Sequence, residues 1–147
     1  MSGAGSSASG VRFDSAVEQM LNAKTKHRIA GKNLRIANVS HAPMDGDVMP
    51  ETIDHVLVYH YKASGAVRRF YGNTESGRAD RLGTSGVLPA HRPTMWICES
   101  DVEVIHFYLD DSVLGSHIND TLGIDPGTVE IFDDMNAPDR FLAQLAP

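Results

Sequence analysis

Seven histidines among 147 residues are enough to build a metal centre, so their spacing decides what chemistry is open to them. Two imidazoles on one strand face need a His-x-His step, because side chains alternate faces along a strand. No such step occurs. His55 and His60 lie five apart, an odd separation that sends them to opposite faces unless a bulge intervenes. His60 and His106 can meet across strands, but a metal site needs a third protein ligand. His91 is the nearby choice, and it stands beside Pro93 in a turn. The spacing therefore predicts no bound metal or cofactor, and a hydrogen-bonded interior histidine at 106.

Nucleophilic chemistry finds less support. The run "GTSG" around Ser85 lacks the second spacer of a Gly-x-Ser-x-Gly elbow. Cys98, in "MWICES", reads as a small buried apolar residue. The adjacent pairs Asp110-Asp111 and Asp133-Asp134 stand where helix starts need acceptors. No catalytic residue is expected, and the chain reads as a binding protein rather than an enzyme.

The bulk composition bounds the rest. This length suits one domain with its own core. A net charge of −6 opposes phosphate backbones, so nucleic acid is not the expected partner of this chain by itself. A single cysteine cannot form an internal disulfide, which favours a reducing, cytoplasmic setting. No apolar run nears the roughly 20 residues of a membrane-spanning helix, so no membrane partner is expected. The small, polar start "MSGAGSSASG" reads as the beginning of a flexible lead over 1–12.

The elements that would position these side chains follow from periodicity. Phe13, Val17, Met20 and Leu21 share a helical face, with Asp14 or Ser15 as cap and Lys24, Lys26, His27 and Arg28 at the carboxyl end. "LRIANV" alternates as a strand, with Leu34 and Ile36 as its covered face. "HAPMDGDVMPE" reads as a loop. "DHVLVYHYK" is a strong strand, and "VRRFYG" reads as its hairpin partner, with a further reversal at Gly77. "GVLP", "TMWICE" and "VEVIHFYL" continue the run, the last apolar on both parities and so covered on both faces. Strands this short and regularly spaced predict a sandwich or barrel. Lys62 and Arg69 read as solvated strand ends, unless Lys62 shares the inward parity of Val58 and His60. Tyr59 and Tyr61 take the opposite parity, and Trp96 stands at the mouth. Leu114, Ile118 and Leu122 stripe a helix capped by Asp110 or Asp111 and stopped by Gly123. "TVEIF" is an edge strand or an extended linker. "NAPDRFLAQLA" predicts a second helix from Asn136 and Pro138 carrying Phe141, Leu142 and Leu145.

Three of these stretches, "DHVLVYHYKASG", "GVLPAHRPTMW" and "VIHFYLDDSVL", together resemble the sensor domain of AraC-type transcriptional regulators, from about Asp54 to Leu145. The resemblance implies a mainly β fold: a cupin-like double-stranded β-helix, or jelly-roll barrel, with an N-terminal helix and C-terminal helices. It implies one sensor domain over 13–147, ending in the connection toward a DNA-binding domain absent from this chain. The step from Gly83 to Pro89 fits the second cupin motif, but Thr94 stands where the family's metal ligand belongs. A small-molecule effector would then lie inside the barrel against Val58, His60 and Lys62 on one strand and Val104, His106 and Tyr108 on another, with Trp96 near the mouth. Leu114, Ile118 and Leu122 would be the seam of a homodimer, or would pack on their own barrel. DNA would be reached through the missing domain. Two other readings stand beside it: a metal enzyme using His60, His106 and His91, and a barrel that only pairs subunits.

Overall fold

In the computed structural model the described residues are Arg12, Ala16, 23–31, 34–80, 82–129 and 134–138. Among the described residues ten strands run β1 (Ala23–Ala30), β2 (Arg35–His41), β3 (Met44–Met49), β4 (Asp54–Ala63), β5 (Val67–Tyr71), β6 (Thr74–Ala79), β7 (Thr84–Leu88), β8 (Thr94–Cys98), β9 (Val102–Asp110) and β10 (Asp134–Pro138). Helix α1 (Asp111–Leu122) and a 3-10 turn (Pro126–Thr128) fall between the last two strands. The strands form a six-stranded sheet in the order β1-β2-β9-β4-β7-β10 and a four-stranded sheet in the order β3-β8-β5-β6. The described pairings are antiparallel and make two facing sheets rather than one hydrogen-bonded ring.

Register explains the core. β9 buries Val102, Val104, His106 and Tyr108 and leaves the alternate residues half-buried, the alternation expected of a sheet with one face on a core. Val58 of β4 and Ala37 of β2 flank His106, and His60 and Val39 flank Val104. Val56, Leu88, Trp96, Val67 and Met49 complete the apolar interior.

Several expectations are corrected. The basic run Lys24–Arg28, read as a helix end, is strand β1, because its backbone pairs with β2 from Ala23↔His41 to Ala30↔Arg35. The face of β2 that goes inward is Ala37, Val39 and His41, opposite to the one inferred from Leu34 and Ile36. The presumed loop contains β3, whose partner β8 lies far off in sequence. β5 is not the hairpin partner of β4: it pairs with β6 and β8, while β4 sits between β9 and β7. The reversal between β5 and β6 turns at Gly72, whose φ of 58° is open to glycine, and Gly77 is inside β6. Asn136 and Pro138 lie in β10, paired with β7, and not at a helix start. Residues 13–15, 17–22, 130–133 and 139–147, and with them most of the first and last predicted helices, lie outside the described residues.

α1 begins and ends as its sequence requires. Asp110 caps it by accepting from the Ser112 N–H at 2.9 Å, and Gly123 closes it in the left-handed region, donating to the Asn119 carbonyl. None of its residues is buried, so Leu114, Ile118 and Leu122 do not pack into the β core.

One ion-pair cluster fixes the end of the sheet from which α1 leaves. The fully buried carboxylate of Asp54 accepts from Arg35 at 2.8 Å and from Arg12 at 3.3 Å, and Arg12 also reaches Asp110 at 3.8 Å. Asp54→Ala is expected to cost about 2 kcal/mol in urea unfolding. That is below the usual range for a broken buried pair, because both arginines can turn to water.

Candidate functional site

Between the sheets lies a small cavity lined by residues of both, among them Val58, His60, Trp96, Val104 and His106. Its volume is about 20 Å³, which by the usual threshold holds about one water. His41 of β2 joins His60 of β4 and His106 of β9 in its wall. The His41 and His106 rings meet edge-to-face with centroids 6.2 Å apart. The Tyr108 hydroxyl and His106 Nδ1 are hydrogen-bonded at 2.9 Å. The Nδ1 atoms of His41 and His60, in contrast, have no hydrogen-bond partner among the described residues.

Burial sets the charge state of this wall. Loss of solvation pushes His41 down to about 4 and His60 down to about 4, the latter helped by the neighbouring His41 and Arg69. His106 is held well below the ordinary histidine value by the same desolvation, then by His41 and His60. All three rings are neutral at pH 7, so each has one N–H donor and one nitrogen acceptor, of which the His106 Nδ1 is already engaged by Tyr108.

The sequence-derived residues divide. Val58, His60, Trp96, Val104 and His106 share the cavity, whereas Tyr108 touches it through His106 and borders a separate recess with Arg12 and Arg35. Lys62 does not reach the interior. A bulge after His60 makes Lys62 oppose Glu103, on the outer face, and it is exposed. Trp96 is inside the four-stranded sheet at 6% exposure, not at a mouth, and its indole N–H donates to Thr94 Oγ1. His91 stands in an exposed turn with a φ of 67°, near Glu51 and Asp111. It cannot complete a site with His60 and His106. Cys98 is buried, its thiol donating to the Ser100 carbonyl.

Two buried polar side chains escaped the sequence reading. His41 was legible in the alternation of polar Asn38 and Ser40 with Ala37, Val39 and His41. Arg69, read as a solvated end, is 1% exposed. Its guanidinium is held by Ser76 Oγ, the Val87 carbonyl and the rings of Tyr71 and Trp96, partners that no local pattern announces.

No protein-family model matches this chain, and no curated protein does. Solved structures do. The cupin domain of Cnp3 from Schizosaccharomyces pombe superposes with a TM-score of 0.50 at 11% identity, covering 67% of this chain and 68% of that one. A cupin 2 conserved barrel domain protein from Leptotrichia buccalis gives 0.50 at 14% identity, covering 70% of this chain and 48% of that one. The fold is cupin-like.

Cupin-like interiors raise the question of a metal, and the donor set answers it. Among the described residues no three His, Cys, Asp or Glu side chains are grouped so as to hold one. The His106 Nδ1 is already engaged by Tyr108. The histidines of this cupin-like interior therefore do not fit a metal centre in the arrangement described.

A second histidine site links this interior's outer wall to α1. The Ala90 N–H donates to His55 Nδ1 at 2.9 Å, which leaves the proton on Nε2, and that N–H donates to Asp111 at 2.7 Å. The bond holds the Asp111 carboxyl below the usual carboxylate range. It ties the first turn of α1 to β4.

Proposed function

We propose that this chain is the effector-sensing and dimerisation domain of a transcriptional regulator of the AraC type, with 13–147 as the sensor unit and DNA bound by a further domain. The observation that carries this reading is the continuity of β9 with α1. The strand that puts Val104 and His106 into the cavity ends at Asp110, which caps α1. A displacement of β9 by a ligand is thus passed to a helix whose stripe, Leu114, Ile118 and Leu122, is not buried in the β core. That stripe is the proposed seam of the homodimer. Among the described residues no helix is long and apolar enough to cross a membrane, and a reducing cytoplasm is the proposed setting.

The effector is a small polar molecule received by the His41, His60 and His106 wall beside Trp96. The two buried Nδ1 atoms without partners among the described residues support this, since leaving such groups unbonded costs about 1–3 kcal/mol each. Because the cavity is about 20 Å³, anything larger than a water binds by parting the sheets, and that work couples binding to β9.

The nearly filled interior also favours a second reading, a barrel that only pairs subunits. Thermal-shift screening of a broad small-molecule library separates the two. A sensor yields at least one compound that raises Tm, and His106→Ala weakens its binding at least about tenfold, the loss of one hydrogen bond to a buried ligand. No stabilising compound supports pairing alone, and an unchanged Kd in His106→Ala removes the site from this cavity.

A further inference from the structure

β4 starts beside the root of α1, where Asp54 pairs with Asp110, and runs to a turn at the opposite end of the two sheets. A surface recess of about 290 Å³ opens there, between the β4–β5 turn and the β6–β7 connection. Its apolar lining is Ala63, Ala66, Val67, Ala79 and Leu82, and Leu82 is 56% exposed. His60 and Val67 line this recess and the interior cavity alike, so the two hollows share a wall. The recess at the α1 end, beside Leu34 and Tyr108, shares no described lining residue with the cavity. His60 is the polar member of the shared wall. It is 4% exposed, and its Nδ1 has no hydrogen-bond partner among the described residues. The Thr84 backbone bonds the ring and favours its protonated form, so the acceptor is the Thr84 carbonyl and Nε2 carries the proton. Nδ1 is then a bare acceptor.

We infer that this recess is the vestibule of the interior site, where a small uncharged molecule sets a hydroxyl or N–H on His60 Nδ1 and rests its apolar part against Val67 and Leu82. The ligand depends on the sensing reading above; the route does not. Size favours the vestibule, since a recess of about 290 Å³ holds the body of a small ligand and an interior of about 20 Å³ does not. Charge narrows the class. The described lining of the recess holds no Lys or Arg to receive an anion. Arg69 disfavours positive charge on the His60 ring, and it does the same to a cation beside that ring. Either ion also sheds its water on reaching a ring this buried. An uncharged molecule with a proton to donate meets none of these costs.

The test is alkylation of the whole chain at pH 7 by bromoacetamide, uncharged and N–H-bearing, beside anionic bromoacetate and cationic 2-bromoethylamine. Peptide mass spectrometry locates the labelled rings. Each alkylation joins carbon to a ring nitrogen, expels bromide and releases the ring proton, and the exposed His117 gives the reference rate. Bromoacetamide is expected to label His60 before His41 and His106. Relative to His117, it should label His60 at least about tenfold faster than either ion does, the least effect expected of burying a charge. Ser64→Trp, at an exposed position on the recess, is expected to slow His60 labelling severalfold, and Ala66→Phe to do the same should the first variant fail to fold. Leu34→Trp, at the other end, is expected to leave it unchanged. No labelling of His60, equal labelling of the three interior rings, no preference for the uncharged reagent, indifference to both plugs, or slowing by Leu34→Trp overturns the inference. These reagents report the route without an effector, so a library that yields no stabilising compound removes the sensing reading and leaves the labelling order standing.

Discussion

Between pH 7 and pH 5 the folded chain is expected to lose about 4 kcal/mol of stability from His41 and His60 alone. The sign follows from where the protons go. In the unfolded chain these rings titrate near the ordinary value of 6.5, whereas burial holds both at about 4 in the folded state. Between those values the unfolded state binds more protons, so stability falls as pH falls from about 6.5 towards 4. At pH 5 each ring costs about 2 kcal/mol at 1.36 kcal/mol per tenfold change in proton binding. His106 adds to the loss in the same direction. The carboxylates of Asp110 and Asp111, held below their usual range by Ser112 and His55, contribute in a lower window, as pH falls through the carboxylate range. Urea unfolding followed by circular dichroism at pH 7, 6 and 5 measures the effect. His41→Gln is expected to flatten the slope, because one proton fewer is taken up on unfolding. A midpoint unchanged from pH 7 to 5 places these rings in water.

Trp96→Ala is expected to lower stability by about 3–5 kcal/mol, the range for deleting a large buried aromatic. Trp96 is 6% exposed in β8 and shares the cavity wall with Val58, Val67 and Val104. Its loss also leaves the Thr94 hydroxyl without the indole donor and removes one of the rings over the Arg69 guanidinium. Scanning calorimetry should show a fall in Tm of about 10 °C for a chain of this size. The enlarged cavity admits a small aromatic, so indole is expected to raise Tm in the variant and not in the parent chain. A loss of only 2–3 °C, or an indole effect equal in both, contradicts an interior built around this ring.

What could be read in advance was what strands and helices carry within themselves. β4 announces itself through its Val and Tyr density, β9 through its apolar run, and α1 through its capping aspartate, its stripe and Gly123. The inward parity of β9 came only with the resemblance, because both parities of that run are apolar, whereas the structure buries Val102, Val104, His106 and Tyr108 and leaves the alternate residues half-buried. What could not be read depends on distant partners. β1 has the lysine-rich look of a helix end, and only its ladder with β2 makes it a strand. β3 has an Asp-Gly step and two flanking prolines, and β8 makes it a strand. The bulge after His60 reverses Lys62 by adding one residue, a one-step slip that carries a side chain to the other face. Arg69 is buried because a hydroxyl, a carbonyl and two rings from other elements replace its water. His41 was overlooked because Leu34 and Ile36 outweighed the polar Asn38 and Ser40 in the pattern of β2.

Everything proposed about sensing rests on the neutral histidine wall between the sheets. Ring nitrogen-15 NMR of the histidine-labelled chain, with and without a compound that raises Tm, observes that wall directly. The signals of His41, His60 and His106 should report neutral rings at pH 7 and move on binding, while those of His27, His91 and His117 stay in place. Movement confined to the exposed histidines, or ring shifts of metal-coordinated imidazole before any compound is added, would contradict it.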